Sequence, residues 1–98
     1  EVIDNKIEMV NEEILKSLDN NKTLSHRRKI SSLFEKYGQD EDLLLQIVES
    51  DSKKVTIYES AKLRAITAEY MAEEGKYPKQ TLKKIAETFY NRSNEINS

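Results

Sequence analysis

The stretch TIYESAKLRAITAEYMAEEGKYPKQTLKKIAETFYNR, residues 56–92, decides the fold. Its apolar residues recur at the three- and four-residue spacing of amphipathic helices, once before Gly75 and again after Pro78. Glycine commonly ends a helix in the left-handed conformation, and proline suits the first helical position because its missing N–H needs no partner there. The stretch therefore predicts two helices joined by a short break, as a helical hairpin or a helix-turn-helix-like corner.

Local signals predict where these two helices begin and end. Residues 56–59 have the spacing of a capping box, in which the side chain of Thr56 accepts a bond from the amide of Glu59. A short strand at residues 55–58 is a weaker alternative, because no partner strand is visible. We expect the first helix to end at Glu74 and the second to fray after Arg92.

Three more helices are predicted upstream. Residues 2–18 form the first, a second begins at a cap provided by Thr23 or Ser25 and stops at a left-handed Gly38, and Asp40 caps the third. The apolar run at the start of the third helix is expected at the centre of the core. The full predicted core is Leu33, Phe34, Leu44, Ile47, Val48, Ile66, Leu82, Ile85 and Phe89.

Length and composition agree with an all-α fold. The 98 residues suit a single domain, residues 1–98, and two glycines and one proline disfavour turn-rich β architectures. We expect a compact bundle of about five helices with a C-terminal helical hairpin. No cysteine and no long apolar run occur, so we expect a cytoplasmic protein that does not interact with membranes.

Residues that could carry catalysis or hold a metal are sparse. His26 is the one histidine, and its cationic neighbours make it a poor general base, so an exposed structural role is expected. The adjacent carboxylates of residues 40–42 lack the spacing of a calcium loop and are better explained as a cap and first helical turn. We therefore expect no enzymatic activity, no metal and no cofactor.

Two basic patches are the candidate binding features. Residues 1–51 hold 12 acids and 7 bases, whereas residues 52–98 hold 6 acids and 9 bases. The first patch is Arg27, Arg28 and Lys29, and the second is Lys76, Lys79, Lys83 and Lys84. Each is predicted near a helix N-terminus, where free amides also attract anions, so the patches could hold the phosphates of a duplex. The alternative is a solvated face balanced by the acidic first helix.

Two further features could take part in binding. Tyr77 and Tyr90 lie near the second patch and could stack on bases, although tyrosines half-buried at helix ends are the usual finding. The predicted first helix carries an apolar stripe that suits either a homodimer seam or an ordinary outer helix of the bundle. The stripe consists of Ile3, Ile7, Val10, Ile14 and Leu18.

Residues 58–94 resemble a known family. The similar positions are Tyr58, Lys62, Arg64, Ala72-Glu73-Glu74-Gly75, Lys79, Leu82, Lys84, Ile85 and Phe89-Tyr90. With a one-residue gap, they are similar to the helical hairpin of small double-stranded-DNA-binding proteins of T4-type phages, over about two-fifths of the chain. The resemblance implies an all-helical, non-enzymatic DNA binder with Lys62, Arg64, Lys79 and Lys84 as candidate contacts.

Two functional hypotheses follow. The first is a DNA-binding accessory protein, from a phage or mobile element, that contacts the phosphates of double-stranded DNA. The second is a protein-interaction module, a regulator or inhibitor that docks on a protein partner through the amphipathic N-terminal helix. The position of the two basic patches, on one face or on several, is the structural feature that separates them.

Overall fold

A computed structural model describes residues 21–98, with side chains from Leu24 onward. This part of the chain forms four α-helices and no strand: α1 (Asn21–Tyr37), α2 (Glu41–Lys54), α3 (Tyr58–Glu74) and α4 (Lys79–Asn97). The all-α prediction is therefore confirmed for residues 21–98. The helix predicted at residues 2–18, with its apolar stripe and dimer seam, lies outside the described residues.

Helices α3 and α4 form the predicted hairpin, and α3 is the most deeply buried element. Nine residues of α3 are buried, and three of them are the fully buried alanines Ala61, Ala65 and Ala68. Such small side chains allow two helices to approach closely, and α4 places Leu82 and Ile85 at the same core with no exposed surface. Burying one side chain of that size contributes roughly 1.5–3 kcal/mol to the free energy of unfolding.

The prediction that the apolar run of α2 lies at the centre of the core is confirmed only in part. In the apolar run of α2, Leu44 and Val48 are fully buried, but Leu43 is 40% exposed and Ile47 is only partly buried. This follows because α2 meets the core with one side only. Leu33 is also partly buried, and the other predicted core residues are buried: Phe34, Ile66, Leu82, Ile85 and Phe89.

Two predicted helix ends are confirmed. The carboxylate of Asp40 accepts a bond from the amide of Leu43 at 3.2 Å, which caps α2. Gly75 ends α3 with a φ of 76°, in the left-handed region. The predicted left-handed stop at Gly38 does not form, because Gly38 does not adopt a positive φ. Its amide donates to the carbonyl of Phe34 at 2.8 Å. A Cβ at this position would collide with that carbonyl oxygen.

The predicted caps before α1 and α3 were wrong. Helix α1 begins at Asn21, so Thr23 and Ser25 lie inside it. Helix α3 begins after Ile57, which offers no capping side chain, so the capping box at residues 56–59 does not form. Val55, the first residue of the connection between α2 and α3, is buried and extended, and no strand forms there.

The last helix continues past the predicted fraying point. The guanidinium of Arg92 donates to the carbonyl of Val55 at 2.9 Å and to that of Lys53 at 3.3 Å. Ser93 is fully buried, and α4 extends to Asn97. These contacts fix the last turns of α4 against the connection between α2 and α3.

Pro78 stands one residue earlier than predicted, as the N-cap of α4. No helix among residues 21–98 has the length and apolar character needed to cross a membrane.

Candidate nucleic-acid interface

Helix α1 presents three consecutive cations on three different sides. Helix α1 starts at Asn21, more than one turn before Arg27, Arg28 and Lys29. The prediction that these cations lie at a helix N-terminus was therefore wrong. Successive residues of a helix are rotated by about 100°. Arg28 is exposed on the outer surface, while Arg27 and Lys29 point to opposite flanks, where each lines a different cleft.

The first cleft lies between α1 and the turn that follows α3. Arg27, Arg28 and Lys76 line this space of about 370 Å³, so residues from both predicted patches meet here. Two carboxylates, Glu35 and Glu74, line it as well, and Arg27 forms a salt bridge with Glu74. The charged side chains of the first cleft therefore leave a net charge of +1.

The second cleft lies on the opposite flank of α1, at the N-terminus of α3. It has a volume of about 260 Å³, and its cations are Lys29, Lys54 and Arg64, with Asp51 as the one carboxylate among its lining residues. Because Ile57 supplies no cap, the first amides of α3 have no side-chain partner there. Three cations, one carboxylate and a positive helix end make this the more anion-attracting cleft.

His26 lies beside the second cleft, and its pKa is lowered there. Burial and, after it, the charges of Arg64 and Lys29 together lower its pKa from 6.5 to about 4, so the ring is neutral at physiological pH. The expectation of an exposed side chain was wrong, since His26 is partly buried and lines a small cavity with Arg64 and Asp51. Because the imidazole is neutral, it adds no further positive charge to the three cations of the second cleft.

Arg64 is held rigidly between the core and the second cleft. Its guanidinium carbon lies 5.8 Å from the centre of the Phe89 ring, a cation–π arrangement, and burial lowers its pKa. Its Nε atom is buried and makes no hydrogen bond within the described part of the chain. Asp51, which also lines the second cleft, raises the pKa of Arg64 against the effect of burial.

The cations of the two clefts and of the outer surface of α1 between them are named the basic band. It crosses α1 from the first cleft, over the outer surface, to the second cleft. Its members are Lys76, Arg27, Arg28, Lys29, Lys54 and Arg64.

The structure places the other predicted contacts elsewhere. Lys84 bonds Glu41 at 2.7 Å, and this hydrogen bond and the carboxylate charge raise its pKa. Lys83 lines a groove between α3 and α4 on another side of the molecule, and Lys79 is exposed at the first position of α4. The second predicted patch is therefore divided, and only Lys76 joins the basic band.

Lys62 does not belong to any exposed surface, so its assignment as a DNA contact was wrong. Only 8% of the residue is exposed, and its ammonium lies 4.5 Å from the centre of the Tyr90 ring. Burial lowers its pKa, although the charge of Glu69 opposes this effect. Lys62 faces α4 rather than solvent, and it acts within the fold.

The two tyrosines proposed for base stacking also have partners inside the fold. The Tyr77 ring stacks on Phe34 with centroids 4.8 Å apart and planes at 22°. Tyr90 packs against the core and carries the Lys62 ammonium on its face. Each ring is therefore already engaged on one face within the fold.

Lys54 is the residue of the basic band that the sequence interpretation missed. It is the last residue of α2. Cations favour the last turn of a helix, and the pair Lys53 and Lys54 was the available signal.

Among residues 24–98, no group of three or more His, Cys, Asp or Glu side chains is arranged to hold a metal ion.

Comparison with protein families, curated proteins and solved structures found no match to this chain.

Proposed function

We propose that the protein is a non-enzymatic DNA-binding accessory protein that holds duplex phosphates on the basic band. The convergence of cations from three separate parts of the sequence supports this proposal. Residues 27–29 come from α1, Lys54 and Arg64 from either side of the α2–α3 connection, and Lys76 from the turn after α3. Clustered cations on one surface are the electrostatic signature of a phosphate contact.

The band offers phosphates more than surface charge. Arg28 is exposed on the outer side of α1, and the clefts on both flanks provide further cations at different depths. A duplex laid across α1 would meet Arg28 first, with its phosphates directed towards the two clefts. Phosphate contacts fix the position of a protein on DNA without reading sequence, so we expect binding that tolerates all sequences.

The proposal is tested by a salt titration of duplex binding. In Arg28→Ala combined with Lys29→Ala, affinity should fall equally for unrelated sequences, and the slope of log K against log salt should flatten. Each lost phosphate contact reduces that slope by roughly one unit because fewer counterions are released. Fluorescence anisotropy of a labelled duplex at several salt concentrations provides both quantities.

The matched control removes the same charge from the other predicted patch. Lys83→Ala combined with Lys84→Ala should leave the salt slope nearly unchanged, because these residues lie outside the basic band. Equal losses in the two double variants would show that only net charge matters. Absence of duplex binding at low salt would end the DNA proposal altogether.

A further inference from the structure

A groove of about 560 Å³ runs between the exposed sides of α3 and α4. Its floor is made of small side chains, Ala72 and Ala86, which are 3% and 2% exposed. Tyr70 and Tyr90 stand along it, and Tyr70 keeps 43% of its surface exposed, a large value for an aromatic residue. The groove is therefore an open apolar surface of the size that accepts several side chains of a ligand or partner.

The rim of the groove is acidic. Glu69 and Glu73 of α3 and Glu87 of α4 line it together with one cation, Lys83, which leaves a net charge of −2. Burial raises the pKa of the Tyr90 hydroxyl, and the charge of Glu69 and a hydrogen bond to it raise that pKa further. Tyr90 is therefore a neutral hydrogen-bond donor to Glu69 at the rim.

We infer that this groove binds a basic amphipathic helix of a partner protein. The alanine floor would let the backbone of such a helix come close, and aliphatic side chains one turn apart would fill the space beside Tyr70. Lysines or arginines on both sides of that apolar stripe would then face Glu73 and Glu87. Charge complementarity selects this partner over an acidic or neutral helix.

The N-terminal residues of the chain itself do not meet this requirement. Residues 1–20 contain six acidic and two basic side chains, so their net charge has the same sign as that of the rim. Like charges brought together at an interface are destabilising. The same argument disfavours a second copy that presents its own acidic groove.

The groove and the second cleft lie on opposite sides of α3. Ser60 and Arg64 line the second cleft, and Glu69 and Glu73 of the groove follow them by nine residues each. Nine residues equal two and a half turns at about 3.6 residues per turn, so each pair points in opposite directions. Phosphates held in the second cleft therefore leave the groove free, and the two interactions can be measured independently.

Two synthetic peptides of about four helical turns test the inference. One carries leucines at three- and four-residue spacing flanked by lysines, and the other has every lysine replaced by glutamate. The full chain should bind the basic peptide and ignore the acidic one, as measured by fluorescence anisotropy of the labelled peptides. NMR shifts on adding the basic peptide should be largest at Tyr70, Ala72 and Ala86.

Matched variants separate a specific groove from general attraction. Glu73→Lys combined with Glu87→Lys should weaken binding by at least about tenfold, or 1.4 kcal/mol. Glu49→Lys combined with Glu59→Lys changes net charge equally at exposed positions outside the groove and should have little effect. Equal weakening by both variants, no binding of the basic peptide, or equal binding of the acidic peptide would overturn the inference. NMR contacts that place residues 1–20 or a second copy in the groove would overturn it as well.

Discussion

The two sides of α3 differ in how their charged residues are held. On the side of the basic band, Arg64 lies between Phe89 and the second cleft, and burial together with neighbouring cations lowers the pKa of His26. On the groove side, Glu73 is exposed and lies next to small apolar residues. One side concentrates positive charge around fixed positions, whereas the other combines acidic residues with open apolar surface. The same helix thus separates two kinds of surface, one that we propose binds phosphates and one that we propose binds a protein helix.

Charge reversal on each side should have the largest effect on this comparison. Arg28→Glu combined with Lys29→Glu should weaken duplex binding by roughly a hundredfold, since each charge-assisted contact contributes about 1.5 kcal/mol. Glu73→Lys combined with Glu87→Lys should not weaken duplex binding, because those residues lie on the other side of α3. Electrophoretic mobility shifts or anisotropy with one duplex measure both. Comparable losses from both variants would refute the division of the molecule into two surfaces.

A mutation at the centre of α3 tests the scaffold that holds the two sides apart. Ala65 is fully buried, and Ala65→Leu should lower the free energy of unfolding by about 1–3 kcal/mol because the close-packed core has no room for three more carbons. Tyr70→Leu, at an exposed position, should change it by less than about 0.5 kcal/mol. Urea denaturation followed by circular dichroism measures both variants. A stability of Ala65→Leu equal to that of the original chain would contradict the close approach of α3 and α4.

The smallest expected effect is a change in the pKa of His26 when the second cleft is occupied. Its ring shares a small cavity with Lys29, Arg64 and Asp51. An added phosphate would favour the protonated ring, so the pKa of His26 should rise from about 4, by up to about one unit, when a duplex binds. NMR titration of the imidazole with and without DNA measures this change. An unchanged pKa in a fully bound sample would exclude phosphates from the second cleft.

The pH dependence of folding follows from the same residue. Because the pKa of folded His26 lies below the ordinary value of 6.5, protonation favours the unfolded chain. This contribution leaves stability unchanged above pH 6.5 and lowers it as the pH falls from 6.5 through about 4. His26→Asn should reduce the loss of stability in this window, which thermal unfolding at several pH values would reveal.

Short-range signals in the sequence predicted much of the scaffold. Asp40 and Gly75 act as predicted because a cap and a left-handed turn depend on a few neighbouring residues. The apolar spacing also located α3 and α4 and most of the core. The capping box at residues 56–59 failed because tertiary contacts decide that junction, where Val55 is buried and its carbonyl is bonded by Arg92.

The site was less predictable than the scaffold because it depends on how the helices cross. Lys29, Lys54 and Arg64 are far apart in sequence and meet only where α1 passes the α2–α3 connection. The burial of Lys62 could not be predicted from its helix alone, since nothing local shows which flank α4 covers. Charge patterns identified the cations of α1, but three-dimensional packing selected their partners.

Arg92 also imposes an order on folding during synthesis. Its guanidinium holds carbonyls that precede it by 37 and 39 residues, at the connection where Lys54 and the start of α3 meet. A ribosome releases the chain from its N-terminus, so this connection emerges well before the arginine that ties it down. The second cleft therefore reaches its final geometry only after nearly all of α4 has been made, and a nascent chain that ends before Arg92 carries its cations without fixing their arrangement.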